Sequence, residues 1–211
     1  LHDPDLDRTT NGSGPVAALT LDELRWLDAG YRFTPNGGAS YPFRGQGITI
    51  PTLAQVYAAF PTVRINLEIK ASDPVTEASV WRIIQEHEAA DRTMVGSFPE
   101  GPLQRFRALT AGSVATSASE PEIREFLTAT YTLRASRLRP AYDALQIPPT
   151  WRHVPVTTRL VVRAAHDLGL DVHVWTIDDA REMRRLLAMG VDGLMSDRPE
   201  VLAEVLATWK Q

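Results

Sequence analysis

Val63-Arg64-Ile65-Asn66-Leu67-Glu68-Ile69-Lys70 is the stretch that decides the fold. Its apolar residues Val63, Ile65, Leu67 and Ile69 alternate with Arg64, Asn66, Glu68 and Lys70. A period of two predicts a strand with one apolar and one polar face. Glu68 and Lys70 are two residues apart, so a carboxylate and an ammonium point to the same side near the strand's C-terminal end. Alone, the pair reads first as a same-face ion pair on a half-buried strand. It gains chemical meaning if other strand ends carry functional groups too, since a carboxylate can bind a divalent metal and an ammonium can hold a phosphate.

Beyond this stretch, strand and helix patterns alternate to the end of the chain. Further strands are predicted at Thr93–Ser97, Ser113–Ser117, Tyr142–Ile147, Asp171–Thr176 and Val191–Ser196. Between them fall helical patterns. One starts at Asp73-Pro74, with proline at the first helical position. Another follows Phe98-Pro99, and a third is capped by Ser119 and runs from Glu120 to Tyr131. The next opens at Thr157, with Leu160, Val161, Ala164, Ala165 and Leu168 on one face. Asp178 is expected to cap the helix after that, and Asp197-Arg198-Pro199 starts the last. Such alternation predicts stacked βα units and a parallel sheet. Periodicity alone leaves doubly wound and barrel arrangements both open. No G-x-G-x-x-G or phosphate-loop pattern occurs.

The first 60 residues read differently. Residues 1–16 are turn-rich, with Pro4, Asn11-Gly12 and Gly14-Pro15. Thr20-Leu21-Asp22-Glu23 and Thr52-Leu53-Ala54-Gln55 are capping boxes that open short helices. Residues 31–51 have no sustained period and hold Tyr31, Phe33, Tyr41 and Phe43 among glycines and prolines. They are expected to form a long ordered loop or small insertion.

Composition narrows the function classes. The chain has 211 residues, 44% hydrophobic and 23% charged, which suits one globular domain. Its net charge of −4 gives no electrostatic case for nucleic acid. The absence of cysteine excludes disulfides, thiolate catalysis and cysteine-held zinc. No apolar run reaches the length of a membrane span. Compartment stays open. The groups at predicted strand ends are Glu68, Lys70, Ser97, Phe98, Trp175, Thr176 and Asp197. Singly, Ser97 reads as a helix cap, Trp175 as core and Asp197 as a cap. Together they converge, because the C-terminal ends of parallel strands open on one mouth. His87, His166 and His173 fall inside predicted elements and read as structural. No H-x-x-x-H or G-x-S-x-G pattern points to a helical zinc site or a serine hydrolase.

Several motifs in order resemble the glycerophosphodiester phosphodiesterase family. They are His2-Asp3-Pro4 with Leu6-Asp7-Arg8-Thr9-Thr10, Gly12 and Gly14; Ile50-Pro51-Thr52-Leu53; Leu67-Glu68-Ile69-Lys70; Gly96-Ser97-Phe98; Val174-Trp175-Thr176-Ile177; and Val191-Asp192-Gly193 with Ser196-Asp197-Arg198-Pro199. The resemblance implies a (β/α)8 TIM-type barrel with a small insertion, roughly residues 4–50, before the Glu-x-Lys strand. It also implies that the family's opening His-Arg-Gly and Glu-x-Asp strands are lacking here, leaving the barrel N-terminally incomplete. A barrel of this type runs to about 250 residues.

By the same resemblance, His2 is an acid/base histidine and Glu68 a ligand of a divalent metal, Mg²⁺ or Ca²⁺. Lys70 contacts phosphate, while Phe98 and Trp175 line the substrate cleft. The implied reaction is hydrolysis of a small glycerophosphodiester to glycerol 3-phosphate and an alcohol. With one histidine and one carboxylate of the set, the chain alone is expected to turn over poorly. A non-catalytic binding barrel and a phospholipase D-type lyase are the competing readings.

Overall fold

The computed structural model describes residues 1–71 and 73–209. It divides into two compact units, Leu1–Pro61 and Thr62–Gln211.

The first unit is loop-rich and carries two short helices, α1 (Leu21–Arg25) and α2 (Leu53–Ala59). Both begin as the capping boxes dictate. The Thr20 hydroxyl accepts from the Glu23 amide, and the Thr52 hydroxyl accepts from the Gln55 amide. Leu6 and Tyr57 are its most deeply buried apolar side chains.

The second unit is built on parallel strands. In chain order its elements are β1 (Ile65–Glu68), α3 (Pro74–Glu86), β2 (Thr93–Gly96), α4 (Glu100–Thr110), β3 (Ala115–Thr116), α5 (Glu120–Tyr131), β4 (Ala144–Ile147), β5 (Thr150–Trp151), β6 (Val154–Pro155), α6 (Arg159–His166), β7 (Asp171–Val174), α7 (Ala180–Leu187), β8 (Gly193–Leu194) and α8 (Pro199–Thr208). β1, β2 and β3 pair in parallel, as do β4, β7 and β8. A parallel bridge from Ser117 to Ala144 joins the two sets. The result is one run of six parallel strands, β1-β2-β3-β4-β7-β8.

The run curls. Strands one and four of a flat sheet lie about 14 Å apart, at roughly 4.8 Å per step. Yet the Gln146 amide on β4 donates to Asn66 Oδ1 on β1 at 2.9 Å. The Asn66 amide also lies 3.9 Å from Met195 Sδ, just beyond β8. Only a sheet rolled about its strand axes brings these inner side chains together.

Alternate residues face outward and are covered by helices. Val95, Leu145, Ile147, Val172 and Val174 are buried there. Around β4 and β7 they pack with Phe126, Val161, Met183, Leu186 and Val205 from α5 to α8. The expected alternation on β1 holds: Ile65, Leu67 and Ile69 are part-buried or buried, against exposed Asn66, Glu68 and Lys70. Val63 departs from it: the strand starts two residues later, and Val63 is exposed while its carbonyl accepts from Arg92.

Three local expectations are corrected. Asp179, not Asp178, caps α7; Asp178 instead accepts from the Ser196 hydroxyl and the Asp197 amide, tying the β7 and β8 exits together. The buried stripe of α6 is Val161, Val162 and Ala165, with Leu160 turned to solvent one helical step away. Ser97 does not cap α4, where Pro99 holds the N-cap position; its hydroxyl is buried without a partner among the described residues.

One outer contact carries charge into the core. Glu77 on α3 is fully buried and meets Arg105 of α4 at 2.6 Å. Removing one member of a buried pair strands the other charge. Arg105→Ala is therefore expected to destabilise the protein by about 2–3 kcal/mol in urea unfolding, discounted for the part-exposed arginine. Arg82→Ala, which breaks the exposed Arg82–Glu86 pair on the same helix, should cost no more than about 0.5 kcal/mol.

Candidate active site

Glu68 is the last residue of β1, and Lys70 follows two positions on. Strand geometry places both on the inner side, and Lys70 Nζ stands 2.7 Å from Glu68 Oε2. The side chains are 39% and 44% exposed, respectively. An ion pair so wet contributes about 0–1 kcal/mol. Stability gives little reason for it, and both groups stay reachable by a ligand.

Deeper on the inner face lies a polar layer. Asn66, Met94, Gln146, His173 and Met195 share it through the Gln146 amide, which also sits 3.4 Å from Met94 Sδ and 3.4 Å from His173 Nδ1. Two glycines make room for these side chains. Gly96 is in register with Glu68, and a Cβ there would sit 3.0 Å from Ser117 Oγ and 3.1 Å from Gln146 Oε1. Gly193 is in register with His173, and its Cβ would come 2.7 Å from His173 Cδ2. Burial pushes His173 below its ordinary value, against the opposing pull of Asp171 and Asp192.

An aromatic wall stands at the same strand ends. Phe98 follows β2, and Trp175 follows β7. Their ring centroids are 6.4 Å apart and nearly edge to face, at 74°. Trp151, on the β5–β6 hairpin, lies 6.4 Å from Phe98 on its other side. The three rings border a cavity of about 100 Å³ that reaches Gln146 and Pro148. No periodicity or motif marks Trp151. Its one signal is position: it follows Pro148-Pro149, directly after a strand end.

His2 belongs to the first unit. Its Nδ1 lies 2.7 Å from Asp3 Oδ1, and Arg8 holds the same carboxylate through Nε and Nη2. The hydrogen bonds from Arg8, then that from His2, keep the Asp3 carboxyl well below the usual carboxylate range. Asp3 is thus an anionic brace for the imidazole, and Nε2 is the nitrogen left to the outside. Turn chemistry builds the brace: Asp7 accepts from the Gly14 amide, and the Thr10 hydroxyl spans from the Leu6 carbonyl to the Gly12 amide.

The structure therefore joins Glu68 with Lys70 and Phe98 with Trp175. Among the described residues no group of three or more His, Cys, Asp or Glu side chains gathers as a metal site. Glu68 is a single carboxylate already facing Lys70. These residues do not by themselves fit a resident divalent ion.

His173 makes a pH prediction. A histidine whose folded value is depressed adds stability above its unfolded value of about 6.5, and that stability is lost as pH falls towards the folded value. Unfolding free energy should decline from pH 7.5 to pH 5, and His173→Gln should flatten that decline in urea titrations.

A model of the glycerophosphoryl diester phosphodiesterase family matches residues 1–201. A Mycobacterium tuberculosis protein named probable glycerophosphodiester phosphodiesterase 2 is 37% identical over 77% of this chain, which spans 62% of that protein's length. A glycerophosphodiester phosphodiesterase of Caldanaerobacter subterraneus subsp. tengcongensis is 28% identical over 98% of this chain and 79% of its own length. The crystal structure of a glycerophosphodiester phosphodiesterase from Agrobacterium tumefaciens superposes with a TM-score of 0.74 at 25% identity, covering 98% of this chain and 79% of that one. The fold is thus the α/β barrel type, and the chain belongs to the glycerophosphoryl diester phosphodiesterase family.

Proposed function

We propose that the protein hydrolyses a glycerophosphodiester to glycerol 3-phosphate and an alcohol. Family membership supports the reaction class. The observation that carries the reading is the reachable Glu68–Lys70 pair at the end of β1, with the Phe98–Trp175 wall at the C-terminal ends of β2 and β7. An ammonium suits a phosphodiester's charge, and aromatic faces suit the carbon backbone of glycerol.

In this reading Lys70 leaves Glu68 and donates to a non-bridging phosphate oxygen. Water attacks phosphorus, its P–O bond forms, and the bond to the alcohol oxygen breaks. The water's proton is taken up and the leaving alkoxide receives one. His2 carries one of these transfers at Nε2, with Asp3 fixing the orientation of the ring, and solvent water carries the other. General acid–base catalysis of this kind contributes about 10²–10⁴-fold. A divalent ion, Mg²⁺ or Ca²⁺, enters this proposal only with Glu68 as one ligand, because the described residues bring no second carboxylate to it.

Phosphorus NMR tests the reaction. Glycerophosphocholine incubated with the protein and Mg²⁺ or Ca²⁺ should yield the glycerol 3-phosphate monoester, slowly, as one histidine and one carboxylate of the set imply. His2→Ala should lower kcat by about 10² or more, Asp3→Asn should lower it less, and Lys70→Ala should act mainly on KM. A cyclic phosphate end product, or a His2→Ala variant as active as the parent, would sink the hydrolytic reading. For the metal, calorimetric titration should show binding weakened in Glu68→Gln; equal heats for the two proteins remove Glu68 as a ligand.

A further inference from the structure

The loop between α1 and α2 does something that neither the fold nor the proposed reaction uses. It holds large apolar rings out in solvent. Phe33 is 50% exposed, Phe43 44% and Tyr41 38%. Such exposure is usually scattered, whereas these rings are contiguous. Phe33 and Phe43 lie 5.0 Å apart, and the Arg44 guanidinium is stacked between Tyr31 and Tyr41, 4.2 and 3.9 Å from their centroids. Arg32 lies over the same Tyr31 ring at 5.5 Å.

The loop is built to present this cluster. Its ends are pinned by the Ala29 amide donating to the Ile48 carbonyl. Arg44 Nε donates to the Tyr31 carbonyl, and Asn36 closes the tip on Ser40. Gly30 has no room for a side chain, since a Cβ would meet the Phe43 carbonyl oxygen at 2.6 Å. The two arms of the loop are therefore closely packed at Gly30 and Phe43, while the Phe33, Tyr41 and Phe43 side chains remain exposed.

Charge narrows what such a surface can meet. The chain is net negative, yet residues 29–67 contain no aspartate or glutamate and include Arg32, Arg44 and Arg64. The carboxylate nearest in sequence, Asp28, spends both oxygens on the Gly30 and Gly45 amides. An anionic partner thus meets rings and guanidinium groups against a single loop acid, Asp28, held at the loop's base by the Gly30 and Gly45 amides.

We propose that the 29–48 loop docks the protein on an anionic phospholipid bilayer. Phe33 and Phe43 enter the interfacial zone, and Arg32 and Arg44 meet the headgroup phosphates. Amphipathic rings and arginines at the headgroup level satisfy both halves of that zone. This docking stands independently of the hydrolytic reading.

Sedimentation of the full chain with vesicles tests it. Phosphatidylcholine vesicles containing phosphatidylglycerol should carry the protein down at low salt, and raised salt should release it. Phosphatidylcholine alone should carry down much less. Phe33→Ala and Arg44→Gln should each lower the partition coefficient about fivefold or more, at unchanged circular dichroism. Phe33→Trp keeps an interfacial ring and should retain binding, which separates ring loss from loop collapse. Absence of sedimentation at low salt, or equal partitioning of parent and Phe33→Ala, overturns the proposal. So does a concentration-dependent dimer in light scattering that Phe33→Ala abolishes, since the rings would then face a second copy. Preference for single-stranded RNA over vesicles overturns it as well.

Discussion

The period of two along the parallel strands is the constraint on which the second unit depends. Each strand must send alternate residues to opposite faces. The outer set, including Val95, Leu145, Ile147, Val172 and Val174, disappears beneath helices. The inner set is thereby left free to be polar: Asn66 and Glu68 on β1, Gln146 on β4, His173 on β7. Slipping β1 by one residue would turn Glu68 away from the mouth and Leu67 into it. Register and chemistry are consequently fixed by the same pattern.

Curvature adds the second half. Asn66 and Gln146 meet across the inner face, where Gly96 leaves beside Gln146, and Gly193 beside His173, the space that Cβ atoms would fill. Short acidic side chains extend the ladder where strands are brief. The Asp143 carboxylate accepts the Thr116 amide, and Asp192 accepts the Val172 amide. Arg107 closes the outside of the same region, reaching the Thr116 hydroxyl, the Ser117 carbonyl and Glu122 on α5. The strand ends that carry Glu68, Phe98 and Trp175 thus project from a frame held on both faces.

Sequence periodicity made the order of strands and helices legible because each long helix buries one stripe and each strand one face. Boundaries were less legible. β3 and β8 are two residues each, since side-chain carboxylates take over ladder bonds that a pattern of apolar residues does not reveal. The β5–β6 hairpin is exposed on both faces and has no apolar alternation to announce it, so Trp151 went unselected. At Asp178 and Asp179, two adjacent acids could each cap α7. Tertiary contact decides between them, because Asp178 is engaged by Ser196 and the Asp197 amide. The Glu68–Lys70 spacing was readable as a same-face pair, whereas the Asp3–Arg8 brace on His2 depends on how a turn-rich segment closes, which spacing does not specify.

The two units solve opposite problems with the same residue types. In the second unit, Arg107 gives its guanidinium to Glu122 and backbone acceptors, and the Phe98, Trp151 and Trp175 rings gather around a cavity. In the first, among the described residues, Arg44 meets tyrosine faces and a carbonyl, and Phe33 and Phe43 pack on each other while both stay exposed. The difference follows from the acids. Where a carboxylate is present, arginine is drawn into a local bond and its field is quenched. Across residues 29–67 no carboxylate exists to do this, and Asp28, just before, is held by the Gly30 and Gly45 amides. A globular chain under pressure only to fold would gain by burying those rings or pairing those arginines. Keeping both exposed on a pinned loop makes sense when an outside surface supplies the missing anions and the missing apolar layer together.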